Sequence, residues 1–219
     1  YLMQIDKNLI KRIFTSFILL LILFSSIFFN KNFWLLLLLI TSIICFIEFK
    51  NLINKIFVKS YFILLSNIII VLYLVMFVYC AYDIYNSQPI LLFAIIVCIF
   101  SDTGGYIVGK TIGGKKLTKI SPNKTISGSI GSFIFSIIPA SFFTILYNSF
   151  DYDFIIISAL IISLICQCGD LIISIFKRKA NVKDTGSILP GHGGLLDRID
   201  GMLFVIPLTY YFYKLYFIS

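Results

Sequence analysis

The chain has 219 residues, of which 59% are hydrophobic and 13% charged, with a formal net charge of +8. A soluble domain carries about 25% charged residues, so this composition excludes an ordinary water-soluble globule and makes the bilayer the natural solvent. Five cysteines, all inside apolar runs, and one histidine argue against a disulfide framework or a Cys/His zinc centre.

Runs free of Asp, Glu, Lys and Arg locate the expected spans, because crossing a bilayer takes about 20 apolar residues at 1.5 Å each. In chain order they cover residues 13–30, 33–47, 60–82, 84–101, 125–150, 154–169 and 201–213. The second is short. The sixth is expected to continue past Asp170 to Phe176, and the seventh to Ile218. The first run lacks a small-residue cleavage site and is followed by further apolar runs, so it reads as a retained helix, and a start at Tyr1 suggests a trimmed chain. A lone segment in lipid must satisfy its backbone internally, which requires helices. The continuous runs lack the alternation of barrel strands. The expected fold class is therefore an all-α integral membrane protein, with about seven transmembrane helices and two Gly/Lys-rich cytoplasmic loops. With seven spans in place, sixteen of the eighteen Lys and Arg residues fall on one side of the membrane. The positive-inside rule then puts the N-terminus and both Gly-rich connections in the cytoplasm and the C-terminus outside.

The first of these connections, SDTGGYIVGKTIGG (101–114), contains the Asp-Thr-Gly of aspartic proteases and a G-x-x-x-x-G-K-T phosphate-loop pattern. Neither has its context. A phosphate loop needs a strand before it and a sheet around it, and an aspartic protease needs two carboxylates on an all-β scaffold. Read as a loop, the stretch offers Gly104, Gly105, Gly109, Gly113 and Gly114 for close backbone approach. Lys110, Lys115, Lys116, Lys119 and Lys124 add positive charge. Ser121 is the expected N-cap of the fifth span, with Pro122 in its first turn, and a helix start beside lysines suits an anion. A basic loop holding anionic headgroups is the plainer alternative. The pattern Asn123-Lys124-Thr125 also fits a glycosylation acceptor, which a cytoplasmic position argues against.

The second connection follows Asp170 at the cytoplasmic end of an apolar helix, where a carboxylate usually has a function. Ser174, Lys177 and Arg178, at offsets of four, seven and eight, share its helix face. Lys183-Asp184, the reversal Pro190-Gly191-His192-Gly193-Gly194 and then Asp197, Arg198 and Asp200 come next. Carboxylates on converging helices suit Mg²⁺, which takes one or two of them plus water and substrate phosphates. Interleaved Lys and Arg suit phosphate oxygens. His192 reads first as a donor bracing the turn, with acid–base work secondary.

The stretch from Ser174 through Lys177-Arg178, Lys183-Asp184 and Pro190-Gly191-His192-Gly193-Gly194 to Asp197-Arg198 and Asp200 resembles the hallmark of phosphatidate cytidylyltransferases. Residues 101–128 resemble that family's other block, with Gly105 in place of the usual Ala and Ile126-Ser127 where an aromatic and a Glu or Gln usually stand. The resemblance covers residues 90–219 and divides a single polytopic membrane domain, 1–219, into N-terminal scaffold helices (1–89) and a catalytic part (90–219). It implies that CTP and phosphatidate give CDP-diacylglycerol and pyrophosphate. It also implies Mg²⁺, with room for a second cation, on Asp170 and Asp197, supported by Asp200 and Asp184. Phosphates are assigned to Lys124, Lys177, Arg178, Lys183 and Arg198. Hydroxyl contacts are assigned to Ser121, Thr125 and Ser174, and a place near the nucleotide to Asp102. The expected partners are the bilayer of the cell membrane and, as an open alternative, a second copy of the chain; no nucleic acid is expected. The alternatives are a cytidylyltransferase or CTP-dependent kinase for another lipid and, from a different class, a small-solute transporter, for which the sequence shows no repeated halves.

Overall fold

The computed structural model describes residues 7–118, 120–146, 151–189 and 193–217, with side chains placed from residue 14 to 215 within those ranges. The described residues form α1 (Lys7–Phe29), α2 (Lys31–Ile56), α3 (Ser60–Asp83), α4 (Gln88–Thr111), α5 (Ile126–Leu146), α6 (Tyr152–Lys179) and α7 (Leu196–Phe217). Among them there is no strand, only two isolated antiparallel bridges, Lys116 with Thr125 and Leu189 with Gly193. The all-helical expectation holds.

The membrane count is coarser than expected. Four helical stretches are long and apolar enough to cross: Lys31–Ile56, Ser60–Thr111, Ile126–Leu146 and Tyr152–Lys179; Phe14–Phe29 is a shorter apolar helix. The stretch Ser60–Thr111 contains α3 and α4, joined through a 3-10 turn at Ile84–Ser87. Helix α7 follows the seventh expected run but is not among the four, since Asp197, Arg198, Asp200 and Lys214 interrupt its apolar character.

The chain folds as two compact units. One contains Tyr1–Tyr85 and Phe176–Ile199, the other Asn86–Ile175 and Asp200–Ser219. In the first unit Asn30 caps α2 by accepting from the Asn32 N–H at 3.0 Å. Trp34, 1% exposed, donates its indole N–H to the Ala81 carbonyl at 2.8 Å, tying α2 to α3. Phe49 meets Phe176 edge-on at 6.1 Å. Helix α2 does not stop with its apolar run at Ile47 but continues past Glu48 and Lys50 to Ile56.

In the second unit Phe93, Ala94, Val97 and Cys98 of α4 pack with Ala140 of α5, Ile155, Ala159, Ile162 and Cys166 of α6, and Val205 of α7. Ile130, Ile134 and Ile138, one turn apart on α5, remain exposed. That spacing gives one helix face, suited to lipid.

Two local expectations are corrected here. Residues 101–111 are not a loop: α4 runs through them to Thr111. Glycine costs about 1 kcal/mol in a helix interior relative to Ala, and close packing on α5 offsets that cost. A Cβ on Gly105 would lie 2.5 Å from the Ser132 hydroxyl, and one on Gly109 would lie 3.1 Å from the Thr125 hydroxyl. Gly104 and Gly131 are equally tight, a Cβ on Gly131 falling 2.9 Å from the Gly104 carbonyl. These glycines serve helix–helix approach, as small residues do in membranes. The phosphate-loop pattern is therefore helical, with no sheet beside it. The second correction concerns the start of α5. Leu117 N–H donates to the Lys124 carbonyl and Ile126 N–H to the Lys115 carbonyl, at 2.8 and 3.0 Å, which holds residues 115–126 as a closed loop. The helix begins only at Ile126, and Thr125 is its cap, its hydroxyl accepting from Gly128 N–H at 3.1 Å. Ser121 instead belongs to a turn, its carbonyl accepting from Lys124 N–H at 3.1 Å.

Candidate functional site

In the second unit, a cavity of about 350 Å³ is lined by Asp102, Gly105 and Tyr106 of α4, Leu117, Ser121, Asn123, Lys124 and Thr125 of the closed loop, Gly128, Ser129 and Ser132 of α5, and Gln167 and Asp170 of α6. Five predicted residues, Asp102, Ser121, Lys124, Thr125 and Asp170, thus share one wall-to-wall space. The Lys124 ammonium lies 2.5 Å from the Asp170 carboxylate. Both side chains stay partly exposed, at 25% and 32%, so the pair is open to a ligand. Ser174 Oγ, one turn on, is 3.4 Å from Asp170 Oδ1. Cys166 Sγ lies 3.5 Å from Asp102 Oδ1.

Asp200 joins this group through glycine. A Cβ on Gly169 would lie 2.8 Å from the Asp200 carbonyl and 3.2 Å from Gly201 Cα, so the backbones of α6 and α7 touch there. The residues beside those glycines, Asp170 and Asp200, are brought within electrostatic reach of each other and of Asp102. Asp102 and Asp170 thus line the cavity with the Lys124 ammonium, and Asp200 stands within electrostatic reach of both carboxylates.

A polar network that sequence reasoning did not single out lies beside the cavity. Ser129 donates to Gln167 Oε1 at 2.6 Å, Gln167 Nε2 is 3.4 Å from Ser163 Oγ, and Ser163 Oγ is 2.8 Å from Ser101 Oγ. Its signal was the presence of Gln and Ser inside apolar runs, where an unpaired polar group is costly. Ser127, which departs from the resembled pattern, is not among the lining residues; its hydroxyl donates to the Gly113 carbonyl and lies 3.0 Å from Thr125 Oγ1.

The first unit holds the other predicted group. Helix α6 ends with Asn181 in the left-handed region (φ 54°), Asn181 N–H donating to the Arg178 carbonyl and Val182 N–H to the Lys177 carbonyl, at 3.1 and 3.0 Å. This double closure is the glycine-type helix stop, here taken by Asn, which tolerates that geometry. It leaves Lys177, Arg178 and Lys179 in the last turn, where the helix dipole favours cations. Asn181→Val should therefore cost about 1–2 kcal/mol, read as a lower unfolding temperature in detergent.

Asp197 is saturated. Its Oδ1 accepts from the Lys177 ammonium at 2.7 Å, and its Oδ2 from Thr185 N–H at 2.8 Å and Gly194 N–H at 3.2 Å, with Thr185 Oγ1 at 3.0 Å. Burial pushes this carboxyl up, but the Lys177 and Thr185 bonds outweigh that, so it stays below the usual carboxylate range; it lies ahead of the apolar run that begins at Gly201. Gly193 (φ 84°) packs against it, and a Cβ there would lie 3.0 Å from the Asp184 Cβ. Lys183, Asp184, Arg178 and Arg198 are exposed. His192 and Lys119 lie outside the described residues.

The residue that sequence reasoning passed over is Glu48. It follows directly on the apolar run 33–47, is 1% exposed and accepts three hydrogen bonds in the first unit. An ionisable side chain following fifteen apolar or neutral residues was the available signal.

No group of three or more His, Cys, Asp or Glu among the described residues forms a ready-made metal cage. Mg²⁺ does not require one. Two carboxylates with an excess of negative charge, opening on a polar cavity, fit an ion that keeps water and substrate phosphates as its other ligands. Asp170, on the cavity with Asp102, meets that description, and Asp200 lies within electrostatic reach of both, its Oδ1 accepting from Gly201 N–H at 2.8 Å; Asp197, with both oxygens occupied, meets it less well.

The sequence profile described as the cytidylyltransferase family matches residues 59–216. A phosphatidate cytidylyltransferase of Bacillus subtilis strain 168 is 41% identical over 126 residues, 57% of this chain and 47% of that protein. Proteins of the same name from Staphylococcus saprophyticus and Staphylococcus aureus are each 46% identical over 120 residues, 54% of this chain and 46% of theirs. The matched part spans about half the length of these curated relatives. With more than half of the sequence matched by the profile, the chain belongs to the cytidylyltransferase family.

Proposed function

We propose that the chain transfers the cytidylyl group of CTP to phosphatidate at the cytoplasmic face of the cell membrane. The observation that carries this reading is the cavity in which Lys124 and Asp170 meet beside Asp102, in a chain whose relatives are named phosphatidate cytidylyltransferases. A phosphatidate oxygen attacks the α-phosphorus of CTP, the bond from that phosphorus to the β-phosphate oxygen breaks, and pyrophosphate leaves with the electron pair. Two polyanions must approach, and their repulsion is strong where the dielectric is low. Lys124 is placed to meet phosphate oxygens by exchanging its Asp170 partner. Lys177, Arg178, Lys183 and Arg198 are the further phosphate ligands on this reading, and Ser121, Thr125, Ser174 and His192 the neutral ones. Asp170 and Asp200 would hold Mg²⁺, with Asp197 fixing Lys177 and Asp184 lying beside it. When bound, the ion neutralises phosphate charge. The cytoplasmic orientation rests on the excess of Lys and Arg in alternate connections.

Purified protein with labelled CTP and phosphatidate, with and without Mg²⁺, tests the reading. Metal-dependent CDP-lipid and pyrophosphate support it. A phosphorylated lipid alone means a kinase, an adduct only with another lipid means a different acceptor, and absence of CTP binding returns the chain to the transporter class. Lys124→Met should raise the CTP KM by about tenfold to a hundredfold, the worth of one charge-assisted bond. An unchanged KM would remove Lys124 from the nucleotide.

A further inference from the structure

We infer that Glu48 is a positioning residue for the Lys177 ammonium, acting through Thr185 and Asp197. The inference rests on the proposed role of Lys177 at a substrate phosphate. Glu48 sits in α2, buried, with no cation on it among the described contacts; its partners are backbone and hydroxyl donors. Its Oε1 accepts from Leu195 N–H at 3.0 Å, and its Oε2 from Leu196 N–H at 2.9 Å, with Thr185 Oγ1 at 2.7 Å. Leu196 opens α7, so the carboxylate rests on free amides at the positive end of a helix. The surrounding backbone is shaped to receive it: a Cβ on Gly186 would lie 2.6 Å from Glu48 Oε1, and one on Gly194 would overlap Oε2.

The same loop groups hold Asp197. Thr185 N–H and Gly194 N–H both donate to Asp197 Oδ2, leaving Oδ1 for Lys177. Fixing Thr185 and the backbone around Gly194 therefore fixes the Asp197 carboxylate, and that carboxylate sets where the Lys177 ammonium stands. Both oxygens of Glu48 face N–H donors. A glutamine would put its own NH₂ against one of them whichever way its amide turned, so only an acceptor-only carboxylate satisfies the site.

The test is a mutant cycle on the full chain in liposomes, using Glu48→Gln, Lys177→Met and the double variant, with Thr185→Val as an independent break in the relay. The readouts are kcat/KM for CTP, KM for phosphatidate, and amide hydrogen exchange of residues 185–196. The expected result is a loss of about tenfold or more in kcat/KM for CTP from Glu48→Gln in the native background and under twofold in the Lys177→Met background, because coupled residues are not additive. Thr185→Val should lose activity in the same direction, with the same non-additivity, and the phosphatidate KM should stay unchanged. Equal losses in both backgrounds, or an undiminished Glu48→Gln enzyme, would overturn the inference. If Glu48→Gln does not fold, the Thr185→Val cycle decides by the same criterion. If the native chain performs no cytidylyl transfer, the proposed function fails, and exchange then judges Glu48 separately. Faster exchange at Leu195 and Leu196 in Thr185→Val and Glu48→Gln, but not in Lys177→Met, supports the relay; unchanged exchange refutes it.

Discussion

Asp170→Asn is expected to abolish cytidylyl transfer, by at least about a hundredfold in kcat, while leaving the protein folded. The substitution keeps size and removes charge. It deletes the carboxylate that stands 2.5 Å from Lys124 and closest to the Asp200 junction. If Asp170 holds Mg²⁺, the lost charge stabilisation in the transition state amounts to several kcal/mol, each 1.36 kcal/mol being about tenfold in rate. The side chain is 32% exposed and forms no part of the apolar core, so the unfolding temperature should change little. Rate measured across Mg²⁺ concentration checks this. A variant that turns over normally at low Mg²⁺ removes Asp170 as a ligand; one that recovers only at high Mg²⁺ supports it.

Gly131→Val is expected to give the largest loss of stability. A Cβ at this position would lie 2.5 Å from the Val108 Cβ and 2.9 Å from the Gly104 carbonyl, which is backbone and cannot turn aside. Valine also has a better intrinsic helix propensity than glycine, so propensity alone predicts a small gain. Overpacking predicts the opposite, a loss of about 1–3 kcal/mol or more, which for a chain of this size lowers the midpoint by roughly 2–12 °C. Pushing α4 from α5 also spreads the cavity that Asp102, Gly105, Gly128 and Ser129 line, so activity should fall with stability. Ile130→Val, on the exposed neighbouring face, is the control and should be close to neutral. Thermal unfolding in one detergent compares the two. Equal midpoints would mean that α4 and α5 do not touch at Gly131.

The sequence by itself determined the solvent and the secondary structure. Apolar runs of bilayer length leave helices as the way to satisfy the backbone, and the described residues of each expected run lie along a helix except for a few at the run's ends. It also made a chemistry nameable: Asp170, Lys177, Asp197 and Asp200 stand in a stretch that resembles the phosphatidate cytidylyltransferase hallmark, and the chain matches the cytidylyltransferase profile over residues 59–216.

Only the tertiary structure decided what the glycines and the buried acids do. A glycine in SDTGGYIVGKT reads locally as loop or as ligand approach; its role as a helix contact exists only because α5 lies against it. Ser121-Pro122 is a sound local helix start, but the bonds linking Lys115 and Leu117 to Lys124 and Ile126 move that start to Thr125. Glu48 and Asp197 are both acids beside apolar runs. What separates them from Asp170 is partnership: their oxygens are filled by amides and hydroxyls from residues far away in sequence or across a loop, with the Lys177 ammonium added on Asp197, whereas Asp170 lines a cavity and pairs there with Lys124. Whether a carboxylate braces the fold or waits for a ligand depends on which donors reach it, and that is a property of packing, which no local pattern records.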